Sequence, residues 1–438
     1  MIHSWKASLL TFCDRRILSI FLFGFSSGLP FLLTLSTLTL WLKESGLNNR
    51  TIGLFVIATI PYTFKFLWGP MVDRIRIPLL FDLLGQRRSW ALVSQLALIF
   101  MLVGLGESDP KEYIFQTALW AFGVAFFSAI QDIAVESYRI EIIDEYQQGS
   151  AASATYLGYR MGMMASGVGA LYLAAIFSWQ TAYLVMAALV MLGVLTTFLS
   201  PSPPNFEIDR ATPPKQTRRK LYDQLREWIR LTYGVPLKDL LRTIDWRIVF
   251  AFIFFYKVGD TTLSVMNTPF LVELGFSKLE IANVAKFFGI SSMMIGGIVG
   301  GILLNRFGIL ACLILCAALH VLTSLMFVVQ TFAGCDLNVL IFTIGFENLS
   351  CGLGAASFIA YLSSLCHTPY TATHFALLSS FGSLARILLS VFSGFLADLL
   401  PWSLFFTFTA IASLPCLFLL VYASRHFPSS PSFLRTAT

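Results

Sequence analysis

Charge is scarce in this chain. Only 12% of its 438 residues are Asp, Glu, Lys or Arg, about half the share of an ordinary soluble domain. Against that, 56% are hydrophobic, 41 of them phenylalanine, and the mean hydropathy is +0.75. This composition excludes a water-soluble globular protein. Histidine numbers five and cysteine seven. The cysteines are scattered, with no CxxC and no metal-ligand spacing, so neither a disulfide framework nor a metal site is expected. Cys312 and Cys316 share a helix face but read as small core residues. His320 and His374 are solitary and read as packed or hydrogen-bonded. Walker A, HExxH and a complete GxGxxG are all missing, so no nucleotide or other cofactor is expected. The one G-x-S-x-G match, Gly24 to Gly28, lies inside an apolar run. It lacks the strand-to-helix turn of a nucleophile elbow and reads as a small-residue packing patch, not as part of an enzyme.

Long apolar runs are what the chain does have. Twelve are long enough to cross a bilayer as helices, at about 17–42, 50–71, 89–106, 114–138, 150–175, 181–200, 246–272, 280–303, 308–330, 338–364, 372–397 and 402–423. They are continuous where a transmembrane β-barrel would alternate. The first is too long for a signal peptide and has no small-residue cleavage site. The expected fold class is therefore an all-α integral membrane protein with twelve transmembrane helices in two six-helix bundles. Most of the 30 basic residues fall on one side of that scheme, among them Arg15, Arg16, Arg74, Arg87, Arg88 and the 201–247 segment. By the positive-inside rule that side is cytoplasmic and holds both termini. The net charge of +6 is thus a topology signal, and no nucleic-acid partner is inferred from it.

One long polar stretch, 201–245, divides the runs six and six. The expected organisation is a bundle over 1–200, a cytoplasmic linker over 201–245, a second bundle over 246–424 and a cytoplasmic tail over 425–438. Leu221, Leu225, Trp228 and Ile229 have amphipathic spacing, compatible with a helix at the membrane interface or with a solvated linker. The halves echo each other. WLKESGLNNRTIG (41–53) aligns with FLVELGFSKLEIA (270–282), pairing Glu44 with Glu273 and Gly46 with Gly275. GPMVDR (69–74) answers GILLNR (301–306). TYLGYRMG (155–162) answers SFGSLARIL (380–388), setting Arg160 opposite Arg386. Related halves in tandem are a mark of transporters that rock two bundles about a central site.

Nine charged residues fall inside the runs, away from their first two positions: Lys65, Asp132, Glu136, Arg160, Lys257, Asp260, Lys286, Glu347 and Arg386. Each costs about 2.5–3.5 kcal/mol at bilayer depth, so they must pair or line a wet cavity. Ser128, Asp132 and Glu136 recur at four-residue spacing on one helix face, close to Arg139. Neighbouring carboxylates repel, which makes Asp132 and Glu136 candidates for carrying a coupled proton; Glu136 is equally well read, with Arg139, as solvated or salt-bridged to the loop near the cytoplasmic helix end. Lys257 and Asp260 either neutralise one another or engage substrate. Lys65, Arg160, Lys286 and Arg386 lie on four helices, and cations so arranged suit a carboxylate-bearing ligand. Gln131, beside Asp132, is counted with this cavity group. Glu347 is read as the partner of a cation such as Arg386 or Lys286, the alternative being a second titrating group. Pro30, Pro61 and Pro269 are expected to kink their helices.

G-x-x-x-D-R at Gly69 to Arg74, and its second copy with Asn305 in place of Asp73, resembles the loop motif of the major facilitator superfamily. Within it, FSSGLP (25–30), SAIQDIAVESYR (128–139), YLGYRMGM (156–163), YKVGD (256–260), ENLSCGLG (347–354) and YTATHFALLSS (370–380) resemble the AmpG muropeptide permeases. The resemblance covers nearly all twelve runs. It implies proton-driven import of anhydro-muropeptides, which are anionic sugar-peptides, across a bacterial inner membrane by a monomer. It also implies a cytoplasmic gate at Asp73, Arg74, Asn305 and Arg306. Glu136 stands where this family often has Asp, and His374 where Gln is common. Acetyl-coenzyme A transporters share the FSSGLP and QDIAV pattern, so a carrier of another organic anion is the alternative.

Overall fold

A computed structural model describes residues 11–203, 226–243, 245–366 and 368–426. Every regular element among them is helical. The membrane helices are α1 (Arg15–Glu44), α2 (Arg50–Arg74), α3 (Leu80–Glu107), α4 (Ile114–Ile142), α5 (148–176), α6 (Trp179–Leu199), α7 (Trp246–Glu273), α8 (Asn283–Phe307), α9 (Ile309–Ala333), α10 (Leu337–Ser364), α11 (Thr371–Leu399) and α12 (Trp402–His426). A further helical stretch over 226–243 belongs to the linker; Leu221 and Leu225 lie outside the described residues.

Eleven of these helices are long and apolar enough to span a bilayer, one fewer than the runs suggested. The exception is α5, whose sequence GSAASATYLGYRMG spends its length on small residues and one arginine. Its small side chains let other backbones come close, which drives helix association where lipid supplies no hydrophobic force. A Cβ on Gly158 or Gly162 would collide with the carbonyls of Phe21 and Phe25 in α1, and one on Gly24 or Gly28 with those of Thr155 and Tyr159 in α5. The GFSSG patch is thus one face of the α1–α5 crossing. In the second half, Gly296 of α8 and Gly352 of α10 meet at Leu349 and Met293 in the same way.

The sequence echo has a structural counterpart. Glu44 accepts a hydrogen bond from the Trp179 indole at 2.8 Å, and Glu273 accepts one from Trp402 at 2.7 Å. Trp41 stacks on Trp179 as Phe270 packs edge-on to Trp402. Gly46 and Gly275 follow at φ +85° and +95°, in the left-handed region that glycine adopts without penalty. Asn48 and Ser277 then cap the next helical turn through the amides of Thr51 and Glu280.

One boundary differs from the sequence reading. The helix expected to begin at 89 begins at Leu80, with a kink where Gly85 takes φ +77°. Arg87 and Arg88 are therefore buried helical residues and not loop positions. Arg88 is bound by the carbonyls of Leu84 and Ser200 and by Ser202.

Candidate functional site

The two G-x-x-x-D/N-R motifs form matching helix caps between the halves, here termed latches. A helix begins with unpaired amides and a positive dipole end, which favour an acceptor there. At the start of α11, the Asp73 carboxylate accepts from the amides of Ala372 (3.1 Å) and Thr373 (2.8 Å) and from the Thr373 hydroxyl (2.5 Å). At the start of α5, Asn305 accepts from the Ser150 amide at 3.2 Å. The motif spacing explains itself. Glycine four residues earlier lies one turn away on the same face, and Gly69 abuts Ala372, Thr373 and Ala376 while Gly301 abuts Ser153. The glycine admits the neighbouring helix and the acceptor caps it.

The latches differ in charge. Asp73 also pairs with buried Arg87 at 2.7 Å, and Arg87 in turn with Glu141 at 2.8 Å. Arg74 takes no part in the cap and donates to Thr232 of the linker helix at 3.1 Å; Arg306 lies over the Phe307 ring. Asn in place of Asp73 removes the charge-assisted bonds, each worth about 1.5–3 kcal/mol. Asp73→Asn is expected to raise the population opened at this face by about tenfold or more, read as a longer spin-label distance between the ends of α2 and α11. Distances identical to wild type would refute the latch.

The linker helix bridges both sides of this closure. Besides the Arg74 contact, Tyr233 donates to the Leu67 carbonyl of α2 at 3.1 Å. His374 of α11 lies 3.1 Å from the Pro236 carbonyl and 3.7 Å from Asp239. His374 thus has a structural partner, as expected of a solitary buried histidine.

Deeper in the protein, the intramembrane charges assemble into a belt. The α2 backbone breaks at Phe64 (φ −97°, ψ 28°), after the turn carrying Pro61, and the helix resumes at Lys65. The Lys65 ammonium reaches Asp132 at 2.6 Å. Phe31, Tyr62 and Tyr159 cluster at ring distances of 5.6 and 6.1 Å, and Arg160 follows Tyr159, lying over Tyr156 at 5.2 Å. On the other half, Asp260 takes Lys257 at 3.2 Å, Arg386 at 3.1 Å and the Cys351 thiol at 3.0 Å. Lys257 also lies 4.5 Å from the Phe358 ring centre. The Arg386 side chain is 52% exposed while its partner Asp260 is largely buried, so the guanidinium opens onto the space beside the pair.

Several of these residues find their partners here, not all of them those expected. Glu136 pairs with Arg139 at 2.6 Å, and fully buried Arg139 donates to Ser363 of α10. The two carboxylates of the α4 stripe therefore each have a cation of their own. Gln131 is packed away from the belt, its amide donating to Ser26 at 3.0 Å, because the α1–α4 contact leaves it no open space. Arg386 belongs to Asp260 and not to Glu347, which accepts from Asn267 at 3.0 Å. The Lys286 side chain lies outside the described residues. Sequence reasoning missed Cys351, though it stands one turn from Glu347 on the same helix face.

A twelve-helix fold with charged residues buried between pseudo-symmetric halves defines a class of membrane carrier. A family profile described as the Major Facilitator Superfamily matches residues 17–351 and again 249–436, and the chain belongs to that family. Within it the chain falls among the AmpG-type permeases. It is 33% identical over 419 residues to the AmpG 4 transporter of Rickettsia felis, covering 94% of this chain and 98% of that one. To the anhydromuropeptide permease of Escherichia coli K12 it is 31% identical over 412 residues, covering 94% and 80%. Among solved structures, the proton:xylose symporter XylE superposes with a TM-score of 0.68 at 12% identity, covering 96% of both chains. The human organic anion transporter MFSD10 gives 0.66 at 17% identity, covering 93% and 99%. The protein is a multi-pass transporter, not an enzyme.

Proposed function

We propose that this transporter imports anhydro-muropeptides together with protons, by alternating access, across a bacterial inner membrane. One observation carries the substrate class: the belt combines cations from both halves with the Phe31, Tyr62 and Tyr159 rings. Carboxylates of a sugar-peptide meet the cations, and a sugar face stacks on aromatic rings. Asp132 and Glu136 are the proton-carrying candidates. Asp132 has the stronger case, because its partner Lys65 comes from a different helix and can separate from it. Units 1–200 and 246–424 move against each other, joined by the 201–245 linker, with the 425–438 tail and both termini in the cytoplasm. The carrier works as a monomer, and the Asp73 and Asn305 latches close its cytoplasmic side.

The test is uptake of labelled N-acetylglucosaminyl-anhydro-muramyl-peptide into proteoliposomes, with and without an inward proton gradient. Accumulation above the external concentration only with the gradient is the expected result. Unlabelled acetyl-coenzyme A is expected not to compete. Competition by it, with no muropeptide uptake, would overturn the proposal in favour of a carrier for another anion.

A further inference from the structure

Of the cations the sequence places inside the spans, Lys65, Lys257 and Arg386 each stand within ion-pair distance of a carboxylate. Arg160 does not. Its neighbours are the Tyr156 ring at 5.2 Å and the Met163 sulfur at 4.0 Å, and neither carries a charge. A guanidinium has five donors in a planar fork matched to a carboxylate, and an uncompensated charge at this depth is costly. The protein keeps one here nonetheless.

Its position is at the meeting of the halves. Arg160 is on α5, and the Tyr156 beneath it packs on Gly297 of α8. Cys351 of α10 lies within electrostatic reach of Arg160 while donating to Asp260, where Arg386 is held. Further along α5, after Met164, the backbone over Ala165–Gly169 widens into a π-helical turn, a distortion that often marks functional positions. An anion on Arg160 would therefore be held by the first half and lie beside the charge cluster of the second.

We propose that Arg160 is the anchor for a carboxylate of the transported molecule and sets the preference for acids over their neutral analogues. This rests on the muropeptide reading for the identity of the acid, but not for the role of the arginine. Three other described cations serve differently: Lys65 holds Asp132, and Lys257 and Arg386 share Asp260.

Two measurements test it. In the first, purified wild-type protein and the Arg160→Gln and Arg160→Lys variants are titrated calorimetrically. The ligands are N-acetylglucosaminyl-anhydro-N-acetylmuramic acid and its methylamide. Wild type is expected to bind the acid at least about tenfold tighter than the amide, as for one lost charge-assisted contact. In Arg160→Gln the two ligands should bind within about twofold of each other, with the amide affinity unchanged, and Arg160→Lys should recover part of the preference. An undiminished acid preference in Arg160→Gln overturns the assignment.

The second measurement does not depend on the muropeptide reading. Phenylglyoxal labelling of Arg160 is read by peptide mass spectrometry in the presence of the same sugar acid, acetyl-coenzyme A, and other organic acids paired with their amides. Protection by an acid and not by its amide supports the anchor, even if that acid is no muropeptide and the proposed substrate is wrong. Labelling that no acid slows overturns the anchor, even where muropeptide uptake succeeds.

Discussion

Asp132→Asn is expected to abolish accumulation against a gradient, lowering proton-driven uptake by about a hundredfold or more, while substrate exchange at equal concentrations continues. The reason lies in the pair it breaks. Lys65 and Asp132 come from α2 and α4, meet at 2.6 Å and are mostly shielded from water. Asparagine cannot bind and release a proton, so a cycle that needs Asp132 charged in one state and neutral in the other stops. The variant also strands the Lys65 ammonium, and removing one partner of a buried pair costs about 3–5 kcal/mol. A lower melting temperature is therefore expected and must be separated from lost coupling. The double variant Lys65→Gln with Asp132→Asn has no stranded charge and should regain stability without regaining gradient-driven uptake. Asp132→Asn that still concentrates substrate on a pH gradient would remove Asp132 from the coupling step.

Gly28→Leu is expected to dismantle the first half. Any Cβ at this position falls on the Tyr159 carbonyl, which is backbone and has no rotamer by which to move aside. The α1 and α5 helices would have to part along a seam where Gly24, Gly158 and Gly162 make equally close approaches. Overpacking of a rigid contact costs about 1–3 kcal/mol, occasionally more, against a total stability of about 5–15 kcal/mol. Arg160 is one residue beyond Tyr159, so the same displacement moves the candidate anchor. The expected result is at least a tenfold loss of monodisperse protein on gel filtration, with Gly28→Ala intermediate. Gly53→Ala is the control, since nothing lies within 4 Å of a Cβ there, and it should behave as wild type. Wild-type yield and melting for Gly28→Leu would show that the crossing tolerates what its geometry forbids.

These two residues also mark how far the sequence reaches. Gly28 was legible as part of a small-residue patch, because lipid-embedded helices need such patches wherever they cross. Its partner was not, since α5 is poor in large apolar side chains and its sequence names no neighbour. Asp132 was legible as a charge too costly to leave unpaired in a membrane. That cost fixes the need for a cation without saying which, and Lys65 is 67 positions away in the chain.

The sequence by itself determined the class of fold, showed the echo between its halves and named most of the charges within the spans, because hydropathy, turn glycines and the penalty on intramembrane charge are local properties. Repeat matching set Glu44 opposite Glu273, and the structure gives each a tryptophan donor, Trp179 and Trp402. Only the tertiary structure decided the pairings. It gave Arg386 to Asp260, turned Arg74 away to the linker helix, sealed Gln131 against α1, and left Arg160 without a carboxylate within ion-pair distance among the described residues. Ion pairing depends on which helix faces approach within a few ångströms, and those approaches are set by where small residues on distant helices allow backbones to meet.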